Sequence, residues 1–337
     1  MIISHKYGII SVEFFKGVFS VLETFLATLS PMLIMFICIL IGFILKKKKL
    51  IPESSGTTVS KLENFVFVPA LIISTFMNYC TVDSIGSESK LILYSTLISV
   101  LALIIAIPLS KAFESKDYYR RNIYKYALAI GNFSFMGNAI VPAILSSYDS
   151  EILFKYMLYC LPLNIAVYTW GVAIMIPKGE EKQSVFKNLL NPVFISIIIG
   201  AVLGLSGIKS YIPSFIVGTL DSLKACMGPL AMVLAGFIIG GYDIKKLIKN
   251  KKVYVATILR LIVLPALFIA VLLFLRAPDT AIILTLFAFG TPLGLNTIVF
   301  PAAYGGDTET GASMAMISHT LCIITIPLMY ALLQLVL

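Results

Sequence analysis

The sequence predicts an all-α integral membrane protein, with ten transmembrane helices in two five-helix repeats of inverted topology and two broken, crossing helices. Of its 337 residues, 59% are hydrophobic and 13% are charged, whereas soluble domains carry about 25% charged residues. The apolar residues form long runs without alternation, so helices of about 20 residues fit better than the strands of a membrane barrel. Two of these runs are interrupted by glycine, asparagine and proline at matching places.

The apolar runs, taken in order, give ten predicted spans. They cover residues 20–45, 57–79, 90–113, 121–147, 152–176, 189–207, 213–240, 252–276, 279–303 and 309–335. The first repeat is predicted to occupy residues 19–176 and the second residues 189–337, with a cytoplasmic loop at 177–188. Residues 1–18 carry too many charges for a signal-peptide core and are predicted to form a helix at the membrane interface.

The positive charges predict the orientation in the plasma (inner) membrane. Of the 26 Lys and Arg residues, 18 lie at the loops after the odd-numbered spans and 6 on the opposite side, so the odd loops are predicted to be cytoplasmic and both termini outside. Because each half has five spans, the second half begins on the opposite side of the membrane, which makes the repeat inverted. The net charge of +9 therefore indicates a lipid bilayer rather than a nucleic acid as partner.

The two interrupted spans, the fourth and the ninth, are predicted to be broken helices. Asn138-x-Ile-Val-Pro142 in one is echoed by Asn296-x-Ile-Val-x-Pro301 in the other. Glycine lets a helix unwind, and proline removes a backbone donor. The predicted crossover hinge residues are Gly131, Gly137, Pro142, Gly290, Pro292, Gly294 and Pro301. Such paired breaks are typical of the binding sites of secondary transporters.

The breaks are predicted to bind a small organic anion. Half-helix N-termini present positive dipole ends that favour a carboxylate, and side-chain amides both donate and accept hydrogen bonds. The candidate substrate-binding residues are Asn132, Ser134, Asn138, Thr291, Asn296 and Thr297. In the alternative interpretation, the asparagines only satisfy the unwound backbone and the hydroxyl residues only pack helices.

Two titratable residues inside spans are candidates for a charge or proton role. Arg260 lies about 12 Å into span eight, where it either attracts an anion, balances an acidic partner or snorkels to the interface. His319 in span ten either couples transport to protons or packs in the bundle. Asp221 and Lys224 are three residues apart and are expected to pair. The scattered cysteines and two histidines give no metal-ligand spacing, so no metal or cofactor is predicted.

Several short motifs, in order along the spans, resemble the auxin efflux carrier family. They include Gly-Asn-Phe-Ser-Phe-Met-Gly at 131–137, the Gly-Phe and Lys run at 42–49, Asn-Pro at 191–192, and Pro292 with the Ala-Tyr-Gly-Gly-Asp exit at 303–307. The resemblance implies a scaffold of spans one, two, six and seven, a mobile domain of the remaining spans, elevator-type transport and a homodimer. Ala139 stands where the family usually has proline.

The function predicted from these features is a permease that moves malate, malonate, an auxin-like acid or a similar anion by alternating access. The alternatives are a sodium-coupled organic-anion symporter, which would be expected to place carboxylates at the crossover, and a channel. An enzyme is not expected. Asp243 and Asp307 are the candidates for an aspartyl protease pair, but both lie in loops at the ends of spans. Two carboxylates could not be held together in a dry site there.

Overall fold

The computed structural model describes residues 2–176, 190–303 and 306–337, and all regular structure in these ranges is helical. The loop predicted at 177–188 lies outside the described residues, as do Tyr304 and Gly305. The helices of the first half are α1 (Ile2–Lys47), α2 (Ser55–Tyr79), α3 (Val82–Phe113), α4 (Tyr118–Ala129), α5 (Phe133–Leu145), α6 (Ile152–Tyr159) and α7 (Leu161–Met175).

The second half has a similar succession of helices. They are α8 (Pro192–Leu205), α9 (Ser214–Gly240), α10 (Lys251–Phe274), α11 (Asp279–Phe289), α12 (Asn296–Ala303) and α13 (Glu309–Leu333). Short helical turns at Ile208–Tyr211 and Ile244–Leu247 occupy the loops on either side of α9.

Six of these helices are long and apolar enough to cross a membrane, and the pair α6 and α7 makes a seventh if it is one bent span. The remaining predicted spans hold shorter or interrupted helices. The fourth is divided into α4 and α5, the ninth into α11 and α12, and the sixth is the 14-residue helix α8. Helix α1 continues without a break through residues 2–18, the segment predicted to lie at the interface.

Prolines explain the irregular turns inside the long helices. A proline lacks a backbone donor and clashes with the carbonyl four residues earlier, which widens or bends the helix. A π turn at Glu63–Phe67 precedes Pro69 in α2, and another at Leu259–Val263 precedes Pro265 in α10. Pro162, at the start of α7, accompanies the 40° bend from α6. The two π turns carry Glu63 and Arg260, two fully buried charged side chains.

The helices pack in two groups, which meet where α1 packs along α13. Helix α9 packs along α1 and α2, and α2 packs on α8, whereas α3 packs on α4, α6 and α7, and α10 packs on α11 and α13. The contact between α1 and α9 is unusually close, since a Cβ at Gly42 would overlap the Val233 carbonyl and one at Gly236 the Ile39 carbonyl. Small residues of this kind allow membrane helices to touch through their backbones.

Candidate functional site

The breaks in the fourth and ninth predicted spans lie side by side. Gly131 and Leu293 form an antiparallel bridge, and the Asn132 N–H donates to the Pro292 carbonyl at 2.7 Å. The Leu293 N–H donates to the Ser318 Oγ of α13 at 3.0 Å. Backbone at membrane depth must find such partners within the protein, because the lipid offers none. The two unwound stretches therefore lie against each other, at the place where a crossing is predicted, and one backbone hydrogen bond joins them.

Close packing explains the glycines of this crossing. A Cβ at Gly131 would overlap the Arg260 guanidinium, and one at Gly294 would lie 3.2 Å from the Gly131 carbonyl oxygen. Neither glycine has a positive φ. Glycine is therefore required at these two positions because there is no room for a side chain. Its ability to adopt the left-handed backbone conformation is not used there.

The other predicted hinge residues are also in tight or helical surroundings. A Cβ at Gly137 would overlap the Tyr156 hydroxyl, and one at Gly290 would lie 2.6 Å from the Leu286 carbonyl oxygen. Pro142 lies inside α5 and Pro301 inside α12. Whether these residues act as hinges remains a prediction.

A cavity of about 240 Å³ opens beside the crossing. Its walls come from α2, α5, α7, α8, α9 and α12, and its polar lining consists of Ser60, Asn64, Asn132, Ser134, Asn164, Tyr168 and Asn296. None of the described residues that line it carries a charged side chain. The first turn of α5, at Phe133–Phe135, and the first residue of α12 both contribute to the lining, so the N-terminal ends of the two half-helices border this cavity.

The orientation of the Asn132 amide is set by His319, 187 residues away. The Nδ1 atom of His319 lies 2.7 Å from the Ala315 carbonyl, which can only accept, so Nδ1 carries the proton. In the neutral ring, Nε2 is then an acceptor, and it lies 3.2 Å from the Asn132 Nδ2. The amide donates to the histidine. Its Oδ1, which has no protein partner in the described ranges, is left for a ligand.

Asn296 makes a comparable contact from the other break. Its Nδ2 donates to the Tyr126 hydroxyl at 2.9 Å, and Tyr126 is fully buried against Trp170 and Phe300. Asn296 is half-buried and keeps its Oδ1 and a second N–H for the cavity. Both asparagines are thus held by one partner each and present a free polar atom.

Of the remaining candidates for substrate binding, some line a cavity and others are bonded to backbone carbonyls. Ser134 lines the cavity, whereas Asn138 lines two neighbouring cavities instead. Thr291 donates to the Ala288 carbonyl at 3.2 Å and Thr297 to the Gly294 carbonyl at 2.8 Å, both fully buried and outside the lining. The structure therefore brings Asn132, Ser134 and Asn296 together and gives the two threonines backbone partners.

Arg260 lies behind the crossing, where α4 and α11 end. Its Nη1 donates to the carbonyls of Leu128 and Ala129 at 3.3 and 3.5 Å, and its guanidinium lies 5.6 Å from the centre of the Phe289 ring. Nε and Nη2 have no hydrogen-bond partner in the described chain. The side chain is fully buried and does not snorkel. A cation at this place stabilises the negative C-terminal end of α4.

Three further cavities continue from the central one. A vestibule of about 620 Å³ shares Ser60, Ile238 and Val299 with it. The charged residues of the vestibule lining are Lys46, Lys61 and Glu53, and Lys46 and Glu53 form an ion pair at 3.2 Å. On the other side, a cleft of only about 20 Å³ shares Ser134 and Asn164 with the central cavity. The cleft shares Asn138 with a fourth cavity of about 270 Å³, which is named the outer cavity because its lining includes Ser150, from a loop predicted to lie outside. Because one water needs about 10–15 Å³, the cleft is closed to a carboxylic acid.

Several residues of this region were not predicted from the sequence. Tyr126, Asn64 and Asn164 belong to ordinary helical patterns and show their role only through contacts. Glu63 is fully buried, and neither of its carboxyl oxygens has a partner within the described residues. Glu63 could have been recognised from the sequence, since an acidic residue inside an apolar span is rare and usually functional.

Comparison with known proteins agrees with this arrangement of apolar and broken helices, which is that of a membrane transport protein. The sequence matches the family described as membrane transport protein over residues 27–330. The chain belongs to this family, which is of the auxin efflux carrier type. It is also 26% identical over 305 residues to an uncharacterized transporter of Methanocaldococcus jannaschii, MJ1031, covering 88% of this chain and 96% of that protein.

Proposed function

We propose that this protein is a secondary carrier for a small organic anion, namely a mono- or dicarboxylate. The observation that carries the proposal is the central cavity, where two half-helix N-termini meet the second N–H of the Asn296 amide, and no acidic side chain of the described residues lines the wall. Positive dipole ends and amide donors favour a carboxylate. Family membership supports transport rather than catalysis.

In this proposal the ten predicted segments form two five-helix inverted repeats in the plasma membrane, with both termini outside. The vestibule shares three lining residues with the central cavity. Its lining includes Lys46, the first residue of the Lys46–Lys49 run that is predicted to be cytoplasmic. The structure would then be the inward-open state. In the transport step, one group of helices would move against the other and expose the site to the outside. The moving group is α3–α7 with α10–α13, and the scaffold is α1, α2, α8 and α9. A homodimer, implied by the family resemblance, is testable by light scattering.

His319 gives the carrier a means of coupling to protons. Protonation at Nε2 would make the ring a donor at both nitrogens, so the Asn132 amide would turn and present its NH₂ group to the cavity. An amide donor there binds a carboxylate better than an amide oxygen does. A pH step across liposomes, with the substrate gradient held constant, measures this coupling.

The test is solute-induced current from purified protein in liposomes, with malate, malonate, lactate, citrate and indole-3-acetate, with and without sodium. Asn296→Ala is expected to reduce transport, because it removes an amide from the cavity. Asn78→Ala is the matched control, since Asn78 donates to the carbonyl and the hydroxyl of Ser74 within α2 and lines none of the cavities described above. A saturable, sodium-independent current supports the carrier. Strict sodium dependence indicates the symporter, non-saturable conduction a channel, and silence contradicts the anion assignment.

A further inference from the structure

The outer cavity differs from the central one in carrying a cation. Its volume is about 270 Å³, and its polar lining consists of Thr75, Tyr79, Asn138, Ser150 and Lys224. It shares no lining residue with the central cavity, from which the 20 Å³ cleft separates it. The space is close to the lower end of small-ligand pockets, about 300 Å³. It therefore fits an acid of a few carbon atoms.

Lys224 is not neutralised by the neighbour expected from the sequence. Asp221, three residues earlier in α9, accepts a hydrogen bond from the Ser74 hydroxyl at 2.9 Å instead, and Lys224 forms no ion pair within the described ranges. The expectation that the two residues pair is wrong in this structure. The half-buried Lys224 thus lines a cavity to which no described carboxylate contributes.

The two cavities are lined by residues from equivalent positions in the two halves of the chain. Asn64 lies five residues before Pro69 in α2, and Lys224 lies five residues before Pro229 in α9. Asn138 and Asn296 begin the equivalent motifs of the two breaks. The central cavity is lined by Asn64 and Asn296, and the outer cavity by Lys224 and Asn138. The inverted repeat thus accounts for two equivalent cavities, with a neutral amide in one and a cation in the other.

We propose that Lys224 and Asn138 form a second carboxylate subsite, which binds the substrate when the carrier opens to the outside. This inference rests on the proposed anion transport. An ammonium and an amide together offer the charge-assisted hydrogen bonds that a carboxylate accepts most strongly. Because Asn64 replaces the lysine in the central cavity, the outer subsite holds an anion more tightly than the inner one. The carrier is therefore suited to capturing a dilute anion from outside.

The test compares the two sides of the membrane. Oriented vesicles, with an acid that the wild type transports, give a KM for uptake from the outer face and a KM for efflux from the inner face. Lys224→Gln is expected to raise the outer KM about tenfold, the effect of one hydrogen bond to a charged group, and to leave the inner KM within about twofold. Lys224→Arg retains the charge and is expected to stay near the wild-type value.

Lys209→Gln is the matched control, because Lys209 is an exposed lysine in the loop before α9 and lines none of the cavities described above. It removes the same charge from the same predicted face. An unchanged outer KM in Lys224→Gln, with normal membrane abundance, overturns the subsite while leaving anion transport intact. Equal increases on both sides, or an equal effect of Lys209→Gln, also overturn it. A wild type that transports no acid overturns both proposals.

Discussion

The contact between His319 and Asn132 predicts a preference for acids that carry a hydroxyl group. Because Nδ1 of His319 donates to the Ala315 carbonyl, the neutral ring accepts from the Asn132 amide, whose Oδ1 is then left free. An amide oxygen binds a hydroxyl group and repels a carboxylate. We therefore expect malate to bind better than succinate, and lactate better than propionate.

The magnitude follows from one hydrogen bond. A neutral buried hydrogen bond contributes about 1 kcal/mol net, which corresponds to about a fivefold ratio of affinities. His319→Leu removes the acceptor, so the Asn132 amide is free to turn and present its NH₂ group. The hydroxyl preference is then expected to fall from about fivefold to near unity, while the unsubstituted acid gains affinity.

The assay is competition between each pair of acids for uptake into liposomes at neutral pH, with thermal unfolding in detergent as the check on folding. Thr320→Val is the control, because Thr320 is the next residue of α13, is exposed and donates only to the Met316 carbonyl. A folded His319→Leu variant with an unchanged hydroxyl ratio refutes the reasoning. So does a wild type without any hydroxyl preference.

Three further predictions concern buried residues. Arg260→Met is expected to lower the free energy of unfolding by about 2 kcal/mol, because the Leu128 and Ala129 carbonyls at the end of α4 lose their cation, and to reduce transport. Glu63→Met is expected to raise that free energy by about 1–3 kcal/mol, because it removes a buried carboxyl without partners. Gly236→Val is expected to lower it by about 3 kcal/mol through overpacking against α1.

For each of these three variants, thermal and denaturant unfolding in detergent measures the change in the free energy of unfolding, and uptake into liposomes measures transport. Normal transport by a less stable Arg260→Met variant would restrict Arg260 to a structural role. Loss of transport by a stable Glu63→Met variant would instead assign Glu63 a role in the cycle. Gly218→Val is the control for Gly236→Val, because a Cβ at Gly218 meets no atom within 4 Å. Equal effects of the two glycine variants would contradict the packing argument.

The helices and their interruptions follow from local sequence. Long apolar runs give helices, and the chain leaves the helical conformation after Ala129 and after Phe289, next to the glycines and proline that predicted a break. Local composition is sufficient here because helix propensity and hydrophobicity act over a few turns. The six or seven helices long enough to cross a membrane are those whose apolar run is unbroken or bent once.

The partners of the polar side chains were decided by the tertiary structure alone. Nothing near Asn132 in sequence shows that His319 fixes its amide, or that Arg260 is bound to the end of α4. Thr297 and Asn296 are neighbours, yet one bonds its own backbone and the other lines the cavity. Hydrogen bonds act over about 3 Å, so which groups meet depends on how distant helices pack. The sequence by itself determined where the helices break, and the packing decided which atoms the breaks present.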